Sequence, residues 1–144
     1  MLVRQILAMK GGGEVETIPA STGIADAVRI LSEKRIGALV VSDDGKAPLG
    51  ILSERDIVRE LGRRGQAVLD ERVSDLMTHD LIGCTGDESA DQVLTKMTDG
   101  RFRHMPVMEG ETMIGLISIG DVVKARLSEL AMEKDALEGM IKGF

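Results

Sequence analysis

A short motif occurs twice in this sequence of 144 residues. Residues 115–121 read GLISIGD, and residues 50–56, which lie sixty-five positions earlier, read GILSERD. Each copy combines a glycine, an apolar run and a serine that is followed three positions later by an aspartate. The flanking segments repeat as well, because residues 35–41 align with residues 101–107. Self-similarity of this kind indicates a duplicated structural unit.

Each copy is predicted to fold in the order strand, helix, strand, strand and helix. Apolar residues recur at helical spacing between residues 24 and 34, and residues 38–41 form the continuous apolar run of a buried strand. In the first copy, the sequence predicts a leading helix at 3–9, strands at 15–18, 38–41 and 48–52, and helices at 24–34 and 53–64. In the second copy, it predicts a leading helix at 73–77, strands at 81–84, 104–108 and 113–117, and helices at 89–98 and 118–141. A tight turn is predicted at 43–45, and a link between the copies at 66–71.

The predicted fold class is therefore α/β (α+β), with two pseudo-symmetric β-α-β-β-α repeats. The first repeat, with its leading helix and the link, comprises residues 1–71. The second, with an extended last helix, comprises residues 72–144. A unit of this order buries its sheet only if something covers the open face, and the neighbouring copy can do that. We therefore expect one compact module rather than two independent domains.

Composition excludes several classes of function. The net charge is −6 and no basic run occurs, which argues against attraction to nucleic acid. The absence of Trp and Tyr removes a stacking surface for single strands. The longest apolar run is too short to span a bilayer, and no export signal is evident at the N-terminus. One cysteine excludes an internal disulfide and fits a reducing compartment, so we expect a cytoplasmic location.

The last predicted helix carries an apolar stripe. Its residues are spaced alternately by three and four positions, with Lys134 as the one polar interruption. The members of the stripe are Val123, Leu127, Leu130, Leu137 and Ile141. A stripe of this spacing normally packs on a core or on another helix.

The repeated Ser-x-x-Asp has a structural and a functional interpretation. The serine can cap a helix by accepting a hydrogen bond from the third helical amide, while the aspartate side chain bonds back. The carboxylate can also receive both hydrogens of a ribose 2′,3′-diol, because its two oxygens match two vicinal hydroxyls. The interpretations are compatible, since the serine can cap while Asp56 or Asp121 reaches outward.

The two copies differ in charge on one strand. Arg103 and His104 precede a largely apolar strand, whereas their equivalents in the first copy are Gly37 and Ala38, which have almost no side chain. One copy thus has basic side chains at these two positions, and the other leaves space beside its backbone. This asymmetry suits a phosphate near the pseudo-two-fold axis, and a packing or ion-pair role for the two cations is the alternative.

No catalytic or metal site is predicted. Cys84 aligns with Ile18 on the first strand of each copy, so an apolar wall is its expected role. A Cys84–His104 nucleophile pair has nothing in the local sequence to activate it. Two histidines and one cysteine, widely scattered, do not make a zinc site.

The two β-α-β-β-α units each close on Gly-hydrophobic-hydrophobic-Ser-x-x-Asp, and the second also contains Met105, Pro106 and Val107. In these features the chain resembles a tandem CBS (cystathionine-β-synthase-type) domain, the Bateman module. The resemblance runs from Val3 to about Leu130, and the chain is similar to short stand-alone bacterial CBS-pair proteins. It implies that an adenosine ligand binds in two clefts between the repeats. AMP is the expected ligand, and ADP, ATP, NAD or S-adenosylmethionine are the others that the family accepts.

The resemblance also assigns residues to the two clefts. One cleft would combine Ser53, Arg55 and Asp56 with Cys84, Phe102, Arg103, His104 and Pro106. The other would combine Ser118, Gly120 and Asp121 with Thr17, Ile18, Ile36, Gly37 and Ala38. In each, the aspartate would take the ribose, strand backbone and aliphatic groups would take adenine, and phosphates would point towards Arg103 and His104. The first repeat lacks the proline and the basic pair, so the clefts need not share a ligand.

These features together predict a non-catalytic adenine-nucleotide sensor. The resemblance implies a homodimer that pairs through helices, to which the extended last helix could add, and a regulated protein that the sequence does not identify. Three alternatives stay open: an enzyme, a CBS module for NAD or S-adenosylmethionine, and a ligand-free assembly module whose Ser-x-x-Asp motifs are only helix caps.

Overall fold

The computed structural model describes residues 1–11 and 15–142. Its helices are α1 (Val3–Met9), α2 (Ile24–Lys34), α3 (Glu54–Arg64), α4 (Val73–Leu76), α5 (Ala90–Gly100) and α6 (Ile119–Ile141), and a 3₁₀ helix spans Gly65–Asp70. Its strands are β1 (Thr17–Ile18), β2 (Ala38–Val41), β3 (Gly50–Ser53), β4 (His104–Glu109) and β5 (Thr112–Ser118). The mixed α/β (α+β) class and the repeated element order are confirmed. The strand predicted at 81–84 was wrong in extent, because only Cys84 makes a bridge, parallel to Val107.

The described chain divides into two compact units that do not follow the order of the sequence. The first-repeat unit contains residues 15–82 and 109–114, and the second-repeat unit contains residues 1–11, 83–108 and 115–142. Helix α1 therefore belongs to the unit of the second repeat, and α4 to the unit of the first. The repeat boundary predicted between residues 71 and 72 stays a prediction about the sequence.

In the first-repeat unit, β2 is the central strand. It runs parallel to β1 and antiparallel to β3, with Val40 opposite both Thr17 and Ile51. All four residues of β2 are buried, as its continuous apolar sequence predicts. The segment predicted as a simple link forms the 3₁₀ helix, and its Val68 is fully buried in the core. The link is therefore part of the fold, because Val68 contributes apolar surface to it.

The connection from β2 to β3 is organised by Ser42, the buried polar residue of the described chain. Its Oγ donates to the carbonyl of Ala47 at 2.7 Å and accepts from the amide of Gly45 at 3.0 Å. The Asp44 carboxylate accepts from the amides of Lys46 and Ala47, and these backbone hydrogen bonds lower its pKa. The loop is longer than the tight turn predicted at 43–45.

In the second-repeat unit, α1, α5 and α6 share a core with the two-stranded sheet of β4 and β5. Val3, Val93 and Val122 are fully buried there. Helix α5 is capped by Ser89, whose Oγ accepts from the amide of Gln92, and ends at Arg101 in the left-handed region, just as α2 ends at Arg35. The two repeats thus share even an unusual backbone conformation.

The glycine of each repeated motif is explained by packing. A Cβ added to Gly50 would lie 2.6 Å from the sulfur of Met77 and 2.8 Å from the carbonyl oxygen of Thr78. A Cβ added to Gly115 would lie 2.8 Å from a methyl carbon of Leu7. Leu7 lies in the leading helix α1, and Met77 directly follows the leading helix α4. In each unit the motif glycine therefore makes room for the end of the leading helix.

Helix α6 buries only part of its length. Val122 and Ala125 are in the core, whereas the stripe residues of α6 are exposed. The sequence predicts that this stripe packs on a core or on another helix. The core of its own unit does not cover it, because the buried face of the helix is a different one, and packing on another helix stays a prediction. In the part of the chain that the structure describes, none of the helices is both long and apolar enough to cross a membrane.

Candidate functional site

The first Ser-x-x-Asp motif forms a reciprocal helix cap. The amide of Asp56 donates to Ser53 Oγ at 3.3 Å, and Asp56 Oδ2 accepts from the Ser53 amide at 3.1 Å and from Ser53 Oγ at 2.9 Å. Asp56 Oδ1 accepts from the guanidinium of Arg59 at 2.9 Å. The capping interpretation is thus correct for this motif. The carboxylate oxygen that takes no part in the cap, Oδ1, is bonded to the Arg59 cation instead.

The second motif forms the same cap with a different cation. The amide of Asp121 donates to Ser118 Oγ at 3.1 Å, and Asp121 Oδ2 accepts from the Ser118 amide at 2.9 Å. The same oxygen accepts from Lys10 Nζ at 2.8 Å, and Lys10 also donates to the carbonyl of Leu116 at 2.9 Å. Within the described residues, no donor is directed at Asp121 Oδ1.

The environment of Asp121 favours its charged form. Burial raises the pKa of this carboxyl, but the hydrogen bond from Lys10 and those from Ser118 outweigh burial, so that its pKa lies below the ordinary value. Lys10 was not among the predicted site residues. Nothing in the sequence identifies it, since a lysine after a short helix is common and its partner is 111 positions away. Arg59, by contrast, is three positions from Asp56 on one helix face and could have been found from spacing.

Each motif lies beside the start of a strand in its own repeat, β2 in the first repeat and β4 in the second. The amide of Glu54, which follows Ser53, donates to the carbonyl of Gly37 at 2.9 Å. The amide of Ile119, which follows Ser118, donates to the carbonyl of Arg103 at 2.8 Å. The structure thus brings Gly37 next to the first motif and Arg103 next to the second. These two positions align in the sequence, so the arrangement is the same in both repeats.

The remaining predicted residues fall into two groups, one in each unit. The first-repeat unit contains Thr17, Ile18, Ile36, Gly37, Ala38, Ser53, Arg55 and Asp56. The second-repeat unit contains Cys84, Phe102, Arg103, His104, Pro106, Ser118, Gly120 and Asp121. Arg103 is exposed, His104 is half-buried, and the ring of Phe102 lies against Gly100. The predicted pairing of each motif with strand residues of the other unit stays a prediction.

Cys84 is not an activated nucleophile. Its side chain is 3% exposed and belongs to the core of the second-repeat unit. Burial, with a smaller effect of the Glu88 charge, raises the pKa of the thiol to about 11. The thiolate that a nucleophile needs is therefore disfavoured, and a role of Cys84 as an apolar wall of a cleft stays a prediction.

Comparison with known proteins supports the same architecture. The CBS domain family model matches twice, at residues 3–63 and 73–128. A CBS-domain containing protein from Agrobacterium tumefaciens is 42% identical, with a TM-score of 0.83 over 88% of this chain and 99% of that one. A CBS domain protein from Pyrobaculum aerophilum, whose structure is a complex with AMP, is 25% identical, with a TM-score of 0.75 over 92% of this chain and 99% of that one.

Longer proteins also contain a related segment. A mitochondrial CBS domain-containing protein from Arabidopsis thaliana is 38% identical over 83% of this chain, and the match spans 60% of that protein. Another CBS domain-containing protein from the same plant is 33% identical over 85% of this chain, and the match spans 22% of its length. The predicted cytoplasmic location stays a prediction. The two family matches cover most of the sequence, and the chain belongs to the CBS-domain family.

Proposed function

We propose that this chain is a non-catalytic regulatory module that binds an adenine nucleotide, AMP foremost. In this proposal the carboxylates of Asp56 and Asp121 receive the hydroxyl hydrogens of the ribose. The family membership supports it, and so does the related Pyrobaculum aerophilum protein whose structure is a complex with AMP.

The carboxylate of Asp121 carries the proposal. An ionised carboxylate has about four lone-pair sites. The Ser118 amide and Lys10 use two of them, both on Oδ2, and the lowered pKa keeps the group ionised at neutral pH. The side chain is 22% exposed, so it caps α6 without being enclosed. A capping aspartate of this kind can still accept hydrogen bonds from a diol.

The charges beside the second motif favour an anionic ligand. Lys10 bonds to Asp121, and the backbone of Arg103 bonds to the start of α6. Lys10 and the exposed Arg103 are both positively charged, which suits the phosphate of AMP better than the sulfonium group of S-adenosylmethionine, which is itself positive. We therefore place AMP, ADP, ATP and NAD before S-adenosylmethionine as ligands.

Isothermal titration calorimetry with AMP tests the proposal. Asp121→Ala is expected to weaken binding by about 2–4 kcal/mol, the range for losing charge-assisted hydrogen bonds to a diol that becomes buried. Asp121→Asn should retain more of the helix cap yet still lose affinity. Asp26→Ala is the matched control, because Asp26 is an exposed carboxylate with an arginine partner and no capping box.

The same titrations separate the alternatives. GMP should bind clearly less well than AMP, since a mismatched base leaves buried polar groups unpaired. Incubation of AMP and ATP with the protein, followed by chromatography, should show no turnover. If AMP binds the parent and both Asp121 variants equally, while the variants only unfold earlier, Ser-x-x-Asp is a helix cap and nothing else.

A further inference from the structure

The two capping aspartates use one carboxylate oxygen for the fold and differ at the other. An ionised carboxylate has about four lone-pair sites, two on each oxygen. Asp56 Oδ2 accepts from the Ser53 amide at 3.1 Å and from Ser53 Oγ at 2.9 Å. Asp121 Oδ2 accepts from the Ser118 amide at 2.9 Å and from Lys10 Nζ at 2.8 Å. A ligand that binds either carboxylate therefore depends on the second oxygen, Oδ1.

This second oxygen is occupied in the first motif. The guanidinium of Arg59 donates to Asp56 Oδ1 at 2.9 Å, which leaves one lone-pair site. Within the described residues, Asp121 Oδ1 accepts no hydrogen bond, which leaves two. A ribose diol brings two hydroxyl hydrogens and needs two acceptors. Asp121 can supply both as it stands, whereas Asp56 is one acceptor short for as long as Arg59 stays in place.

The two cations are held differently. Arg59 lies three positions after Asp56 on α3, and its side chain is 61% exposed, so a displaced guanidinium can rotate into water. Lys10 bonds to the carbonyl of Leu116 as well as to Asp121 Oδ2, so it stays on the side of the cap. A ligand can therefore displace Arg59 from Oδ1 and has no need to displace Lys10.

We propose that Arg59 competes with the ribose for Asp56 and thereby sets the order in which the two carboxylates bind ligand. This inference rests on the proposed function, in which both aspartates receive the ribose hydroxyls. The Asp121 site fills first, and the Asp56 site fills at a higher concentration, because its ligand must first break the Arg59 ion pair. A nucleotide whose concentration rises would then occupy the chain in two steps.

Two other roles of Arg59 predict different signs. If its guanidinium attracts the phosphate of the ligand, its removal weakens the binding of AMP. If it only pairs with Asp56 on the surface of α3, its removal changes stability and leaves binding as it was. Competition predicts tighter binding on removal, and adenosine, which has no phosphate, isolates this effect from any attraction between charges.

Calorimetric titration of adenosine into single-site variants tests the proposal. Asp121→Asn disables one site and Asp56→Asn the other, and each retains a side chain that can cap its helix. Asp56→Asn should bind adenosine about 2- to 10-fold more tightly than Asp121→Asn. Adding Arg59→Met to Asp121→Asn should tighten binding by a similar factor, the range for releasing a partly exposed ion pair. Adding Arg59→Met to Asp56→Asn should produce no such gain.

Arg63→Met in the Asp121→Asn background is the matched control. Arg63 pairs with Glu60 across the same spacing on the same helix, at 3.2 Å, and is 70% exposed. Its removal takes away the same charge without touching Asp56, so adenosine binding should stay unchanged. A thermal unfolding curve of each variant checks that it is folded.

Salt provides an independent readout. Adenosine is neutral, whereas the ion pair that it must break is screened by added salt. Adenosine should therefore bind Asp121→Asn more tightly as salt is added, and this dependence should disappear with Arg59→Met. Adenosine binding that Arg59→Met weakens or leaves unchanged, or equal affinities of the two single-site variants, would overturn this inference alone. A parent chain that binds neither AMP nor adenosine would overturn the proposed function, and this inference with it.

Discussion

Lys10 Nζ lies 2.8 Å from Asp121 Oδ2, across 111 positions of sequence. The contact joins the end of α1 to the first turn of α6 within the second-repeat unit. The same carboxylate oxygen accepts from the Ser118 amide, so one group both caps a helix and receives a cation. The ion pair therefore couples the stability of this unit to the electrostatics of the proposed ribose site.

Lys10→Met should lower the free energy of unfolding at pH 7 by about 0.5–1 kcal/mol, a value that allows for solvent screening, because Lys10 is 40% exposed. The net effect of its surroundings lowers the pKa of Asp121 in the folded state, so this stabilisation is present above the unfolded pKa of about 3.9. It is lost as the pH falls through the folded pKa. Urea unfolding at about pH 7 and pH 3 should show the difference between parent and variant narrowing, without vanishing, since the bond to the Leu116 carbonyl does not titrate.

Arg29→Met is the control for this experiment. Arg29 pairs with Asp26, but both side chains are about 60% exposed. Its removal should change the free energy of unfolding by a few tenths of a kcal/mol at most. A Lys10→Met effect that is equally large at both pH values would show that the methylene chain, not the charge, is responsible.

Gly50→Ala should destabilise the protein more than Gly115→Ala. The new methyl at position 50 meets the backbone oxygen of Thr78, which is itself bonded to the Ile51 amide and cannot move without breaking that bridge. At position 115 it meets only the side chain of Leu7, which can rotate. Overpacking costs about 1–3 kcal/mol, and we expect the upper end for Gly50→Ala and the lower end for Gly115→Ala by urea unfolding. The reverse order would contradict this explanation of the motif glycines.

Arg103→Ala should weaken the binding of AMP more than that of adenosine, which lacks a phosphate. A charge-assisted pair in a partly open cleft is worth about 1.5–3 kcal/mol, and the difference between the two ligands isolates it. Parent binding of AMP should also weaken with added salt. Arg29→Ala removes a positive charge elsewhere and should leave both affinities unchanged. Equal losses for AMP and adenosine would assign Arg103 to the wall of the site instead.

The Cys84 thiol should react very slowly in the folded protein. With a pKa of about 11, roughly one thiol in 10⁴ is ionised at neutral pH, and the side chain is also buried. Labelling with a disulfide reagent at about pH 7 should therefore follow the opening of the core, and the same protein in urea should react rapidly. Fast labelling of the folded protein would show that the second-repeat unit opens readily around this residue.

The sequence predicts the helices of this fold well because their signals are local. Helix α2 begins and ends where its apolar spacing does, and Ser53 and Ser118 mark the starts of α3 and α6 through their own side chains. The duplicated motif indicates two repeated units and carries the resemblance to the CBS-domain family. Strand extent is less local, because the short segment before α5 contributes only Cys84 to a bridge.

The residues that sequence alone misses depend on contacts between distant segments. Lys10 acquires its role only when α1 lies beside α6, and Val68 only when the 3₁₀ helix packs into the core. The α6 stripe shows the opposite case. Its spacing predicts a packing surface, but spacing alone does not identify which surface covers it, and among the described residues none does.

The mixed origin of the second-repeat unit constrains the order of events on the ribosome. Its core contains Val3 at one end and Val122 at the other, so the unit cannot close until more than 120 residues have been synthesised. Until then Val3 and Ile6 have no native core to enter, and they stay exposed or bind elsewhere. Closing so long a loop is entropically costly and slow. Apolar side chains such as Val3 and Ile6 are therefore open to aggregation and to chaperone capture during this interval.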